Sequence, residues 1–168
     1  MKSNGRQLGI ETVYNDLQFL QDALFCYKVP RYDIKGKKLL ETMEKYYIAD
    51  QGIRFRLLGY KDSAINGLLE NIVFLELIRR GYQVSIGKIG EYEIDFIAEK
   101  EGKKEYYQVC YLLSSEDVKI REYRSLMQIK DNFPKTILSL DELPDSFEEG
   151  ILRKNLRQWL LECLEKNV

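Results

Sequence analysis

The sequence predicts a protein of the α/β (α+β) class, because helical and extended patterns follow one another in two different orders. Residues 1–60 show an amphipathic helix and then two extended segments joined by a basic, glycine-containing turn. Residues 61–168 show a long apolar helix, three short strands, a charged helix, one more strand and a closing helix. The 168 residues are therefore expected to form two units, residues 1–60 and residues 61–168.

The composition is that of an ordinary globular protein, with 45% hydrophobic and 32% charged residues. The net charge is −1, made up of +3 over residues 1–62 and −4 over residues 63–168, so only the first part carries a mild basic bias. The absence of histidine excludes histidine metal sites, Ser-His-Asp triads and Cys-His dyads. No GxxxxGK[ST] phosphate loop is present, so P-loop nucleotide hydrolysis by this chain is excluded too.

The three cysteines, Cys26, Cys110 and Cys163, lie far apart and form no CxxC pair. This pattern predicts reduced, buried thiols in a cytoplasmic protein. No apolar run approaches 18 residues, so no membrane span or membrane partner is predicted.

Residues 11–23 predict a helix with one apolar stripe formed by Val13, Leu17 and Leu20. The residues away from that stripe form a polar and aromatic face of the kind that a recognition helix presents to duplex DNA. They are Thr12, Tyr14, Asn15 and Gln18. The alternative is that this face is the solvated side of an ordinary amphipathic helix.

A basic turn follows the next extended segment and surrounds Gly36. A helix, a strand, a basic turn and a strand form the plan of a winged helix, in which lysines on the wing contact phosphate. Here the wing residues would be Lys35, Lys37 and Lys38. Lysines around a turn also serve simply to keep a sheet edge soluble, so the sequence leaves both interpretations open.

Two strands of the second unit, residues 92–99 and 106–111, alternate polar and apolar residues around a turn at Gly102. An antiparallel pair would bring Asp95 and Gln108 onto neighbouring strands. Glu93 and Glu99 are expected on the same face as Asp95, because all three are odd-numbered. Glu70 lies near the buried side of the long helix, where a carboxylate needs a partner or a metal unless it reaches water at the boundary.

The order helix, three strands, helix, strand is that of the PD-(D/E)XK, or restriction-endonuclease-like, core. Glu70, Asp95 and Gln108 match the first three residues of that constellation, and they are the candidate catalytic residues. Glu70 and Asp95 would be the metal ligands, with Mg²⁺ or Mn²⁺ as the cofactor. Gln108 is uncharged and Cys110 stands in the position of the lysine, so a degenerate, non-cleaving site is at least as good an interpretation as an active one.

The chain also resembles a family as a whole. The segments GIETVYNDLQFLQDA and FCYKVPRYDIKGKKLLETMEKYYIADQGIRFRLLG are similar to the winged-helix part of the predicted AAA-superfamily ATPases of bacteria and archaea. The segments LLENIVFLELIRRGYQVSIGKIGEYEIDFIAEKEGKKEYYQVCYLL and IKDNFPKTILSLDE are similar to the C-terminal, restriction-endonuclease-like domain of the same ATPases. The resemblance implies the C-terminal portion of a longer ATPase whose nucleotide-binding part lies outside this chain.

Three functions follow from these patterns. The first is a DNA-binding or interaction region of such an ATPase, with a degenerate nuclease-like domain and duplex DNA as the partner. The second is a Mg²⁺- or Mn²⁺-dependent DNA nuclease that uses Glu70, Asp95 and Gln108. The third is a non-catalytic assembly domain that binds the ATPase domain of the parent protein or a second copy of itself.

Overall fold

A computed structural model of the protein describes residues 9–59, 61, 64–113 and 115–165, apart from the side chains of residues 42, 43 and 163–165. Within these ranges the chain forms five helices and one mixed sheet of eight strands. The helices are α1 (Ile10–Asp22), α2 (Gln51–Leu58), α3 (Ile65–Arg79), α4 (Glu116–Met127) and α5 (Leu156–Glu165). The strands are β1 (Cys26–Asp33), β2 (Lys38–Ile48), β3 (Gln83–Ile89), β4 (Tyr92–Lys100), β5 (Lys103–Val109), β6 (Lys135–Ser139), β7 (Ser146–Glu148) and β8 (Ile151–Asn155). Their order across the sheet is β2-β1-β3-β4-β5-β6-β8-β7.

Both faces of the sheet carry a hydrophobic core, which confirms the α/β class at the coarse level. On one face, α3 and α5 pack against the sheet through residues such as Val73, Phe74 and Trp159. On the other face, α4 packs through residues such as Tyr123 and Leu126. The elements predicted from the long helix to the closing helix are present in the predicted order, and two further strands, β7 and β8, precede the closing helix.

The N-terminal hairpin joins the same sheet as the rest of the strands. β1 pairs with β2 in antiparallel fashion, and residues 31–33 of β1 pair in parallel with residues 86–88 of β3. The strands predicted for two units therefore lie in one continuous sheet. Residue 60, at the predicted boundary, lies outside the described residues.

Helix α1 covers little of this sheet. The apolar stripe predicted on it leaves Val13 42% and Leu20 43% exposed, and no residue of α1 is buried. The amphipathic pattern thus predicted the helix correctly, and within the described part of the chain no second layer covers its apolar stripe.

A β-bulge in β4 changes which side chains share a face. Gly87 pairs with Ile94 and Ser85 pairs with Ile97, so Asp95 and Phe96 together lie opposite a single residue of β3. Glu99, beyond the bulge, pairs with Lys104, whose ammonium group lies over the ring of Tyr32 on the α4 face.

Glu93, before the bulge, contacts Lys45, which in turn contacts Glu70 of α3. Simple odd-even alternation along β4 therefore predicted the face of Glu99 wrongly, because the extra residue at the bulge reverses the alternation.

The segment between β6 and the closing helix contains strands β7 and β8, which the sequence did not indicate. Glu149 and Gly150 both have positive φ, 54° and 76°, and they form the tight turn of a β7–β8 hairpin. Three residues of strand are too few to show a period. No helix in the described ranges is long and apolar enough to cross a membrane.

Two glycines are expected to respond in opposite ways to alanine. A Cβ at Gly87 would lie 2.8 Å from Cβ of Ile94, where backbone pairing leaves no room, so Gly87→Ala should destabilise the fold by ~1–3 kcal/mol. A Cβ at Gly67, inside α3, would meet nothing within 4 Å, so Gly67→Ala should stabilise it by ~0.5–1 kcal/mol. Urea unfolding of both variants checks the prediction, and equal signs would contradict it.

Candidate functional site

Charged side chains from β1, β2 and β4 meet a carboxylate of α3. Lys45 of β2 places Nζ 3.3 Å from Oε2 of Glu70 and 2.6 Å from Oε1 of Glu93. Tyr47 donates its hydroxyl to the same Glu70 oxygen at 3.4 Å. Arg31 of β1 pairs with the second oxygen of Glu93. These five residues and Asp95, which is described below, form what we call the carboxylate cluster.

Asn71 and Tyr47 fix the hairpin against α3. The buried Asn71 side chain accepts the backbone N–H of Ile48 at 2.8 Å and donates to the carbonyl of Ile48 at 2.9 Å. The ring of Tyr47 stacks on Phe74 with centroids 4.7 Å apart. These contacts set the register of β2 along α3, so that Lys45 and Tyr47 both face Glu70.

Asp95 lies at the bulge and is only 6% exposed. Its Oδ2 accepts the backbone N–H of Val109 at 2.8 Å. Burial raises the pKa of Asp95 well above its usual range, and the nearby charge of Glu70 raises it further, while the Val109 hydrogen bond and Lys45 oppose the shift. The charge of Glu70 is therefore close enough to act on Asp95.

Gln108 is beside Asp95 but faces the opposite side of the sheet from Glu70. Its Oε1 accepts the backbone N–H of Asp95 at 3.3 Å, and its Nε2 donates to Glu122 of α4 at 3.0 Å. Arg121 neutralises Glu122 through a contact of 2.6 Å. The amide oxygen of Gln108, which could coordinate a hard cation, is thus used in a hydrogen bond within the protein.

Cys110, which occupies the position of the nuclease lysine, is packed in the α4 core and is 2% exposed. Burial and the negative charge of Glu122 raise the pKa of its thiol to about 12. Cys26 and Cys110 are both free and buried, as predicted, and the side chain of Cys163 lies outside the described residues. A neutral thiol in this position supplies no positive charge.

The cation near the carboxylates comes from Lys45 instead. Burial lowers the pKa of Lys45, but the hydrogen bond to Glu93 and the charges of Glu70 and Asp95 outweigh burial and raise it overall. Burial likewise raises the pKa of Glu93, and the contacts with Lys45 and Arg31 outweigh it, so the pKa falls below its usual range. Both side chains are therefore ionised at neutral pH.

The carboxylate cluster offers a hard cation few free oxygens. Glu70 and Asp95 remain the residues that would hold Mg²⁺ or Mn²⁺, but Glu70 already contacts Lys45 and Tyr47. Among the residues that the structure describes, no three acidic or cysteine side chains are arranged to hold one metal ion. The predicted constellation is thus brought together in part, with Gln108 turned away from it.

The predicted nucleic-acid residues are at the surface. Thr12, Tyr14, Asn15 and Gln18 are exposed on α1, and Lys35, Lys37 and Lys38 are exposed around the β1–β2 turn. Asp33 shapes that turn by accepting the N–H of Lys35 at 3.1 Å. A Cβ at Gly36 would lie 2.6 Å from the Asp33 carboxylate, so a side chain there would have to displace Asp33.

Sequence reasoning did not identify Lys45, Tyr47, Arg31 or Glu122 as parts of the site. Lys45 and Tyr47 alternate with Tyr46 along β2, which is a signal that their side chains share one face. The alternation places both side chains next to Glu70 only when the β1–β2 hairpin is known to pair with β3.

Two curated proteins are similar to this chain. An uncharacterized protein of Haemophilus influenzae is 38% identical over 151 residues, which are 90% of this chain and 37% of that protein. An uncharacterized protein of Methanocaldococcus jannaschii is 34% identical over 136 residues, which are 78% of this chain and 30% of that protein. No family model and no solved structure matches the chain. The chain spans about a third of the length of the curated relatives it matches.

Proposed function

We propose that this chain is the DNA-binding region of a larger protein of the AAA-superfamily ATPase type, with a winged-helix part and a nuclease-like part that does not cleave. The observation that supports a non-cleaving site is the internal charge balance of the carboxylate cluster. Glu70 and Glu93 are paired with Lys45 and Arg31, and Gln108 is hydrogen-bonded within the protein. The greater length of both relatives supports the larger protein.

Internal pairing disfavours metal binding for a simple electrostatic reason. Mg²⁺ binds carboxylate oxygens and keeps several waters, so it needs open coordination positions and uncompensated negative charge. At this site a metal would have to displace the ammonium group of Lys45, which contacts two carboxylates at 3.3 and 2.6 Å. The cluster is therefore better suited to holding the hairpin on the sheet than to activating water.

The exposed lysines of the β1–β2 turn are the proposed phosphate contacts. Lys35, Lys37 and Lys38 form no ion pair with any described residue. Asp33 of β1 lies opposite Lys88 of β3, and the N–H of Ile34 donates to the Lys88 carbonyl at 2.9 Å, so the turn is held at a fixed place on the sheet edge. Fixed, unpaired lysines can follow a phosphate backbone without base contacts.

Binding to a fluorescein-labelled DNA duplex, measured by anisotropy over a range of salt concentrations, tests this proposal. Replacing Lys35, Lys37 and Lys38 together by glutamine should weaken binding at least tenfold and reduce the salt slope by about 2–3. The control variant carries the same change at Lys61, Lys103 and Lys130, which are exposed elsewhere. Equal affinities for the two triple variants, or no duplex binding by the unaltered protein, would refute it.

The nuclease remains a second candidate, because Asp95 has a raised pKa beside Glu70 and Lys45, as catalytic groups often do. Incubation of the protein and of Asp95→Asn with supercoiled and single-stranded DNA in Mn²⁺ separates the two functions. We expect no cleavage by either. Cleavage by the unaltered protein alone would replace the binding role with hydrolysis.

A further inference from the structure

A groove of about 480 Å³ lies between α1, β2, α2 and α3 and leads to the carboxylate cluster. Leu17 and Leu20 of α1 and Leu58 of α2 form its apolar rim. Lys45 and Glu70, which belong to the carboxylate cluster, also line it. None of the sequence patterns indicated this groove, because it is formed by the way the hairpin joins the sheet.

Gly67 keeps the groove open. It lies on α3 one helical turn before Glu70, it is exposed, and a Cβ built on it would meet nothing within 4 Å. Glycine inside a helix costs about 0.5–1 kcal/mol relative to alanine. The bare backbone therefore allows a ligand to approach α3 closely at this point.

The charged side chains that line the groove are Lys45, Arg54 and Glu70, so the lining carries a net positive charge. Arg54 of α2 lines it and forms no ion pair with any described residue. Helix α2 also carries Arg56 and has no acidic residue. Lys45 compensates Glu70, which leaves the positive charge of Arg54. A ligand with negative charge and apolar faces matches this combination.

We propose that the groove binds single-stranded nucleic acid, with a phosphate at Arg54 and a base against the leucines and Tyr46. The proposal rests on the nucleic-acid-binding function proposed above and names the form of nucleic acid that reaches the carboxylate cluster. Bases of a single strand present apolar faces that can stack on an aromatic ring such as that of Tyr46, whereas paired bases in a duplex are covered.

Anisotropy of a fluorescein-labelled oligo-dT of about twelve nucleotides tests the groove, with the labelled duplex measured in parallel. Gly67→Leu fills the groove and adds a good helix former, so it should weaken oligo-dT binding at least tenfold, leave duplex binding unchanged and not lower the melting temperature. Arg54→Gln should weaken oligo-dT binding several-fold. The matched control is Arg56→Gln, which removes the same charge from the same helix outside the groove.

The outcomes of these measurements distinguish the groove proposal from the DNA-binding function proposed above. Duplex binding that depends on the lysine turn, without oligo-dT binding or without an effect of Gly67→Leu, would overturn the groove and leave the proposed function intact. Equal losses for Arg54→Gln and Arg56→Gln would also overturn it, because binding would then follow overall charge. No binding of either DNA would remove both proposals and leave the apolar rim as a surface for a protein partner.

Discussion

Lys45→Met is expected to lower the free energy of unfolding by about 3 kcal/mol, because the change removes one partner from a partly buried ion network. Lys45 is 27% exposed and is shared by two carboxylates. Methionine keeps the length and apolar stem of lysine and removes only the charge. Glu93 would retain Arg31, but Glu70 would keep only the long hydrogen bond from Tyr47 and would lie near Asp95 without a compensating cation.

Urea unfolding followed by circular dichroism measures this effect, and the same hairpin provides a matched control. Lys28 pairs with Glu44 at 2.7 Å but is 42% exposed. Lys28→Met should therefore cost less than ~1 kcal/mol, as is usual for solvent-screened pairs. Equal costs for Lys45→Met and Lys28→Met would show that the carboxylate cluster does not hold the hairpin on the sheet.

A double-mutant cycle with Asp95→Asn tests whether Lys45 acts on Asp95 as well. If the charges of Lys45 and Asp95 are coupled, Lys45→Met should cost ~1 kcal/mol less when Asp95 is already neutral. The two side chains come from β2 and β4, so coupling would connect the N-terminal hairpin energetically to the bulge. Strict additivity would confine the action of Lys45 to Glu70 and Glu93.

The long elements were predictable from the sequence because their apolar patterns persist over many residues. Helix α3 and strands β3 to β5 show this, with turns at Gly90 and Gly102 that take positive φ as their positions require. The bulge at Asp95 and the three-residue strand β7 were not predictable. A bulge is one extra residue without a local composition signal, and three residues show no period.

The candidate site also contains features that were predictable from the sequence and features that were not. Asp95 and Gln108 were predicted to be neighbours, since a hairpin around Gly102 sets their register, and a hydrogen bond of 3.3 Å joins them. The source of the positive charge was not predictable. In the nuclease pattern the lysine falls at the position of Cys110. In the structure the ammonium group is that of Lys45, which lies 65 residues earlier in the chain. Pairing of β1 with β3 brings it there, and parallel pairing between distant segments leaves little trace in local patterns.

Asp95→Asn is expected to stabilise the protein by about 1–2 kcal/mol at pH 7.5, although it alters a buried polar residue of the candidate site. Asparagine can still accept the Val109 N–H through Oδ1, but it carries no charge to be desolvated near Glu70 and Glu122. Because the pKa of Asp95 is raised in the folded state, its protonated form is favoured there. The contribution of Asp95 is therefore most favourable below its ordinary pKa of about 3.9 and is lost as the pH rises through the raised value.

The stability difference between Asp95→Asn and the unaltered protein should thus be small near pH 4 and grow towards neutral pH, as measured by urea unfolding at several pH values. Glu93→Gln provides a control of opposite sign, because Lys45 and Arg31 lower the pKa of Glu93. Its loss of stability should be largest at neutral pH and vanish as the pH falls through the lowered value. A destabilised Asp95→Asn at neutral pH would mean that the ionised carboxylate is part of what holds the bulge. A stabilised one would mean that the protein keeps Asp95 at a cost to its fold, as is expected of a residue kept for binding or catalysis.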